Sequence, residues 1–327
     1  MSIAREDYSE TSLPINERFV SGVKRFLGAV GLELKRNYQL YLMVLPAVLL
    51  IFIFRYIPMY GVQIAFKDFV PTKGITGSEW VGFKHFIRFF ESYNFWDILK
   101  NTLGLSLYQL IVGFPFPIIL ALILNQIKHN PFKKMVQTVT YIPHFVSVVV
   151  VIGMLTLFTS PDKGIIAHLF TMFGMEPINF MGEAKWFKSL YVFSGIWQSA
   201  GWGSIIYLAA LAGVDPSLYE AASIDGASKW QKILYIDIPS IVPTAIILLL
   251  LNTGKLMSIG FEKVYLMQNP LNQSTSEIIS TYVYKMGLLN SQYSYSAAIG
   301  LFNTMINFVL LITLNRIAKK ANQTSLW

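Results

Sequence analysis

The chain has 327 residues, of which 54% are hydrophobic and only 13% charged, and it carries a net charge of +8; its mean hydropathy is +0.50. A soluble globular domain carries about a quarter charged residues, so this chain lacks the polar surface to face water on all sides, and a lipid-solvated class leads. The positive excess does not read as a nucleic-acid surface, because most lysines and arginines flank apolar runs, where anionic headgroups and cytoplasmic retention explain them. Cysteine is absent, which excludes a disulfide framework, a thiol nucleophile and a thiolate metal site.

Residues 1–37 open as MSIAREDYSETSLPINERF, polar and of mixed charge, unlike a cleavable leader. They read as a cytoplasmic extension with an amphipathic helix around residues 20–34. Crossing the hydrocarbon core takes about 20 mainly apolar residues. Six runs qualify, at 38–58, 100–124, 136–159, 189–213, 239–259 and 297–316. Pro46, Pro115 and Pro117 fall within two of them and predict kinks that a membrane helix tolerates. The expected fold class is an all-α polytopic membrane protein. With the N-terminus inside, lysine and arginine are denser in the inside segments, so both termini are expected to be cytoplasmic.

The outside segments 61–96 and 160–188 are rich in glycine and aromatics, among them Trp80, Phe83, His85, Phe86, Phe89 and Phe90. They read either as an interfacial aromatic belt or as a docking surface for an external protein. Arg55 reads as interfacial, and Asn303 and Asn307, four residues apart, face either the bundle interior or a partner.

Between the fourth and fifth runs lies DPSLYEAASIDGASKWQKILYIDIPSIVP, residues 215–243. Asp215 suits a helix N-cap and Pro216 the first helical position. A short helix is expected through Ile224, broken by Asp225 and Gly226, with a second short helix over 227–235. Leu218, Ala221 and Ala222 share one face of small apolar residues that a partner can approach closely, with Glu220 at its edge. On physical grounds alone this is equally an amphipathic loop on the bilayer.

The run Glu220-Ala221-Ala222, then Asp225-Gly226-Ala227, Ile238-Pro239 and Pro243, resembles the EAA loop of ATP-binding-cassette importer permeases, and the match holds along the whole loop. The resemblance covers roughly residues 97–316 and implies the six-helix transmembrane domain of a type I importer. The additional first span and basic extension resemble the carbohydrate-uptake branch, whose oligosaccharide permeases pair with a second, non-identical permease. The implied layout is an extension at 1–37, a first helix and external loop at 38–96, a permease core at 97–316 with the coupling loop at 215–238, and a tail at 317–327.

By the same resemblance, the loop docks on a cytoplasmic ATPase dimer. Tyr219, Glu220, Ala221, Ala222, Asp225 and Gly226 would form the coupling contact. A solute-binding protein would deliver the cargo from outside, and ATP and magnesium would belong to the ATPase alone. Consistent with this, the chain has no GxxxxGK[ST] phosphate loop and is expected to carry no cofactor, metal or catalytic residue of its own.

The flanking spans offer candidate path residues: Gln198, Ser199 and Trp202 on the fourth, and Asn252, Lys255 and Leu256 on the fifth. Amides and a cation suit sugar hydroxyls or a uronate, and a ring suits an apolar sugar face. The same groups could instead make interhelical hydrogen bonds, or Lys255 could reach water at the interface. A peptide or another solute remains the alternative cargo. A secondary transporter or channel would need an inverted repeat or buried acidic ion sites, and neither is evident. A membrane enzyme fits poorly, since His85, His129, His144 and His168 lack metal-ligand spacing.

Overall fold

In the computed structural model, which describes residues 33 and 35–320, the chain divides into two compact units between Gln63 and Ile64. The helix expected at 20–34 lies outside the described residues, apart from Glu33. The first unit contributes α1, Tyr38–Ile51, which continues through a π-helical turn at Phe52–Tyr56 that holds Arg55. No described residue of α1 is buried, as expected of a helix whose neighbours are lipid.

The second unit begins with a two-residue ribbon, β1 (Lys67–Asp68) paired antiparallel with β2 (Glu79–Trp80), Lys67 opposite Trp80. The helices follow in order: α2 (Lys84–Phe90), α3 (Phe95–Asn125), α4 (Asn130–Tyr141), α5 (Val148–Phe158) and α6 (Phe187–Ala212). Then come α7 (Pro216–Ile224), α8 (Lys229–Thr253), α9 (Phe261–Met267), α10 (Ile279–Tyr284) and α11 (Tyr293–Lys320).

Among the described residues, four helices are long and apolar enough to span a bilayer, or five if a bent pair counts as one. The helix α6, with 26 residues, reaches about 39 Å but is diluted by Ser194, Gln198, Ser199 and Ser204. The third expected span is not one rod. A 3-10 turn at Ile142–Phe145 separates α4 from α5, and the two halves are bent by 100°. Pro143 removes a backbone donor inside that turn, and Ser147 starts α5 by accepting a bond from Val150 N. The fifth span also ends early, at Thr253, so residues 254–260 are not helical.

Helices in lipid gain little from hydrophobic burial and pack instead through close van der Waals fit at small residues. Gly201 of α6 shows this at its tightest. A Cβ there would lie 2.0 Å from the Thr140 carbonyl oxygen, so the absent side chain lets α4 touch α6 backbone to backbone. Around this contact the core forms in patches. Leu105, Ile152, Phe187, Val192 and Val264 join α3, α5, α6 and α9, while Ala121, Tyr207, Leu211 and Ile241 join α3, α6 and α8.

The segment 61–96 holds both core and surface rings. His85, Phe86 and Phe89 are buried, and Phe89 packs with Phe95, Tyr282 and Tyr295. Trp80, Phe83 and Phe90 stay exposed, with Trp80 stacked on Phe66 at 5.7 Å. Lys84 Nζ donates to Asp68 Oδ2 at 2.6 Å and His85 Nε2 lies 3.0 Å from Oδ1; chiefly the Lys84 bond holds the Asp68 carboxyl below the usual carboxylate range.

Replacing Gly201 with alanine should cost about 1–3 kcal/mol, because its Cβ meets backbone that cannot turn aside. Gly153, with nothing within 4 Å of its Cβ position, should accept alanine with no loss. Thermal unfolding of the purified protein in detergent compares the two; equal midpoints would remove the close approach from the account of the fold.

Candidate functional site

The segment between α6 and α8 is built from local signals. Asp215 Oδ1 accepts from Ser217 N at 2.9 Å, Pro216 takes the first helical position, and the Ser217 bonds hold the Asp215 carboxyl below the ordinary range. Helix α7 ends where Gly226 takes φ +73°, so that Ala227 N reaches the Ala222 carbonyl at 2.8 Å. Ser228 and Gln231 then cap α8 reciprocally.

Here the sequence reading needs correction. Residues 227–235 are not a second short helix. They begin α8, which runs unbroken from Lys229 to Thr253 with a π-helical turn at Ile233–Asp237.

No residue of α7 is buried. Glu220, Ala221, Asp225 and Gly226 are exposed and Ala222 is half-buried, beside the exposed Leu218, Ile224, Trp230 and Tyr235. The result is an uncovered surface of small and apolar groups at one end of the bundle. Tyr219 differs, because its side chain turns inward and its hydroxyl donates to Asp237 Oδ1 at 2.5 Å. Burial, with that bond, pushes its phenol up to about 12.

A cavity of about 470 Å³ opens between α3, α6, α8 and the stretch after α8. Asn252, Lys255 and Leu256 line it, together with Ser106, Gln109, Tyr191 and Tyr207. Lys255 and Leu256 reach the cavity from a turn and not from a spanning helix. That turn is pinned from two sides: the Ser106 hydroxyl donates to the Leu256 carbonyl, and Asn307 Oδ1 accepts from Met257 N at 2.9 Å. Asn307 Nδ2 also donates to Ser258 Oγ at 2.8 Å, so Asn307 faces the bundle interior; the Oδ1 of Asn303 is buried without a hydrogen bond.

No carboxylate lines the cavity, and Lys255 makes no ion pair among the described residues. Gln109, in a π-helical turn of α3 at Gln109–Gly113, has a buried Oε1 without a hydrogen bond. Gly195 leaves the space beside it: a Cβ there would lie 3.7 Å from that oxygen and 3.2 Å from Lys263 Nζ. Lys263 is itself buried, donating to the Tyr191 carbonyl at 2.8 Å and resting 4.7 Å from its ring centre. Gln109 and Lys263 did not figure among the sequence candidates. The first was legible as an amide within an apolar run, whereas the second sits in a segment that reads as an outside loop.

Gln198, Ser199 and Trp202 do not line this cavity, contrary to the expectation that they face Asn252 and Lys255 across it. Gln198 Nε2 donates to the Val146 carbonyl at 2.8 Å, supplying a partner where the broken α4–α5 span leaves one needed. Trp202 stacks on His144 at 4.7 Å, nearly parallel, with Phe145 against its edge. Ser199 bonds back to the Gly195 carbonyl at 2.6 Å. The contacts of Gln198 and Trp202 fall at the bend and that of Ser199 within its own helix, while Ser199 and Trp202 stay exposed. Among the described residues no group of acids, histidines or cysteines could hold a metal ion.

The comparisons agree with this architecture. Residues 113–323 match the family described as the binding-protein-dependent transport system inner membrane component. The chain is 45% identical over 296 residues to the polygalacturonan/rhamnogalacturonan transport system permease protein YteP of Bacillus subtilis, covering 90% of this chain and 92% of that one. It is likewise 45% identical to the protein LplB of the same organism, with the same coverage.

Among solved structures it resembles a chain of a bacterial ABC transporter involved in the import of the acidic polysaccharide alginate. The TM-score is 0.83 and the identity 39%, over 89% of this chain and 99% of that one. A second structure of a bacterial alginate ABC transporter, in complex with an alginate pentasaccharide-bound periplasmic protein, matches with a TM-score of 0.83 at 38% identity, over 90% of this chain and 98% of that one. The chain belongs to the family of binding-protein-dependent transport system inner membrane components and is the membrane-spanning permease subunit of an ATP-driven importer.

Proposed function

We propose that this permease conducts an acidic oligosaccharide through the cavity between α3, α6 and α8, reading its carboxylate with Lys255. The carrying observation is the position of Lys255 in the cavity lining, with no carboxylate lining that cavity. A cation kept at the depth of the hydrocarbon is expensive unless it meets water, a partner or an anionic cargo. Asn252 and Gln109 add amides suited to hydroxyls, and Tyr191 and Tyr207 supply ring faces. The named cargoes of the relatives, polygalacturonan or rhamnogalacturonan and alginate, support the same chemistry.

In this reading the permease sits in the plasma membrane with both termini cytoplasmic and pairs with a second, non-identical permease. The uncovered surface of α7 docks on a cytoplasmic ATPase dimer, which alone binds ATP and magnesium. Glu220 is the polar anchor, Ala221 and Ala222 are the close-packing face, and Asp225 with Gly226 forms the turn. An external binding protein delivers the saccharide to the opposite side.

Two variants test the two ends. Lys255→Gln should reduce, about ten-fold, the ATPase stimulation caused by binding protein loaded with oligogalacturonate, as loss of one partner in a partly desolvated charge pair does. Stimulation by a neutral galacto-oligosaccharide of equal length should hold; equal losses for both would end the carboxylate assignment. Gly226→Pro cannot adopt φ +73° and should abolish uptake in proteoliposomes while the protein still inserts and purifies. Full ATP-dependent uptake by that variant would refute the coupling assignment.

A further inference from the structure

Asp237 is fully buried and closes the π-helical turn Ile233–Asp237 near the start of α8. Its Oδ1 accepts from Tyr219 of α7 at 2.5 Å and from Asn125 Nδ2 at 3.4 Å. Its Oδ2 accepts from Gln126 Nε2 at 2.9 Å. Asn125 is the last residue of α3 and Gln126 follows it. One carboxylate therefore joins the coupling helix to the ends of two spans that line the cavity, and it does so without an ion pair among the described residues.

We propose that Asp237 is the joint through which movement of α7 reaches α3 and α8, and so the cavity. Burying an unpaired carboxylate costs several kcal/mol, and an apolar group of like size is often the more stable choice. A carboxylate at this position is better accounted for by the geometry it imposes than by stability. Helix α7 has no buried residue of its own, so packing does not hold it to the spans. Its side-chain ties to other elements are Tyr219 to Asp237, with Asn125 bonded to the same hydroxyl, and, near the exposed end, Ser223 to Lys232 at 2.7 Å. Only the first reaches α3, whose Gln109, Leu110 and Pro117 line the cavity. Two acceptor oxygens on one short side chain hold three donors from two neighbouring elements at fixed spacing. A push on α7 then moves α3 and α8 together.

This inference rests on α7 being the ATPase contact, and its test separates the two. The complete importer is reconstituted in proteoliposomes, and saccharide taken up per ATP hydrolysed is measured with oligogalacturonate as the probe. Asp237→Leu removes the shared acceptor, leaves the donors of Tyr219 and Gln126 without one, and should lower that ratio about ten-fold, the scale of hydrogen bonds to a charged group. Asp237→Asn keeps an acceptor for Tyr219 and lets Gln126 turn its amide, so it should restore most of the ratio. Tyr219→Phe, which buries no new polar atom, should also lower the ratio, and its loss should not multiply with that of Asp237→Leu.

A merely structural Asp237 would lower assembly and hydrolysis together and leave the ratio intact. An intact ratio in Asp237→Leu, or in Tyr219→Phe should the leucine variant fail to assemble, overturns the proposal. Multiplying losses in the double variant overturn it as well. If Gly226→Pro uncouples while these variants do not, the joint alone is wrong; if Gly226→Pro also transports fully, both readings fall.

Discussion

Within a bilayer a broken helix finds no water, so each exposed backbone group must be met by another part of the protein. Two breaks in this chain obey that constraint, and the rest of the second unit is arranged around them. At the bend between α4 and α5, Gln198 reaches across from α6 to the Val146 carbonyl, and the missing side chain of Gly201 admits Thr140. At the end of α8, Ser106 from α3 and Asn307 from α11 hold the Leu256 carbonyl and the Met257 amide. The second break places Lys255 in the cavity lining. A straight fifth helix would have carried Lys255 and Leu256 round its own axis and closed the irregular wall that now presents them.

The same helix serves both ends of the molecule. Asp237 and Asn252 lie on α8 fifteen residues apart, about 22 Å along a helix axis. One touches α7 and the other lines the cavity. Helix α8 is continuous from Lys229; the wide turn at Ile233–Asp237 and Pro243, which lacks a backbone donor inside the helix, are the places along it where a bend is cheapest. Wide turns of this kind often mark functional sites, and both Asp237 and Gln109 occupy one. A continuous helix between the two ends gives a contact at α7 a route to the cavity wall.

The segment 215–226 was legible because its signals are local. The Asp215 cap, Pro216, the Asp225-Gly226 stop and the small face at Ala221 and Ala222 act within a few residues of one another, and the structure contains each of them. The candidates on the fourth span do not line the cavity, and the sequence could not say so for the opposite reason. Helical spacing puts Gln198 and Trp202 four residues apart on one face but does not say what that face meets. It meets the bend at Ile142–Phe145, whose existence depends on α4 turning away from α5. The aromatic segment 83–90 behaves alike: composition identifies its rings, while packing against α10 and α11 decides that Phe89 is core and Phe83 surface.

By itself the sequence determined the solvent, the helical class, the position of most spans and the local build of α7 with its cap and its stop. Each of those depends on composition or on short-range chemistry. The tertiary structure alone decided which polar residues face the cavity, that Lys255 stands on a turn, and that Asp237 gathers Tyr219, Asn125 and Gln126. Those contacts join residues 18, 112 and 111 apart along the chain. No periodicity reaches that far, because these side-chain partners are set by how α3, α7 and α8 pack together and not by any property of the residues beside them.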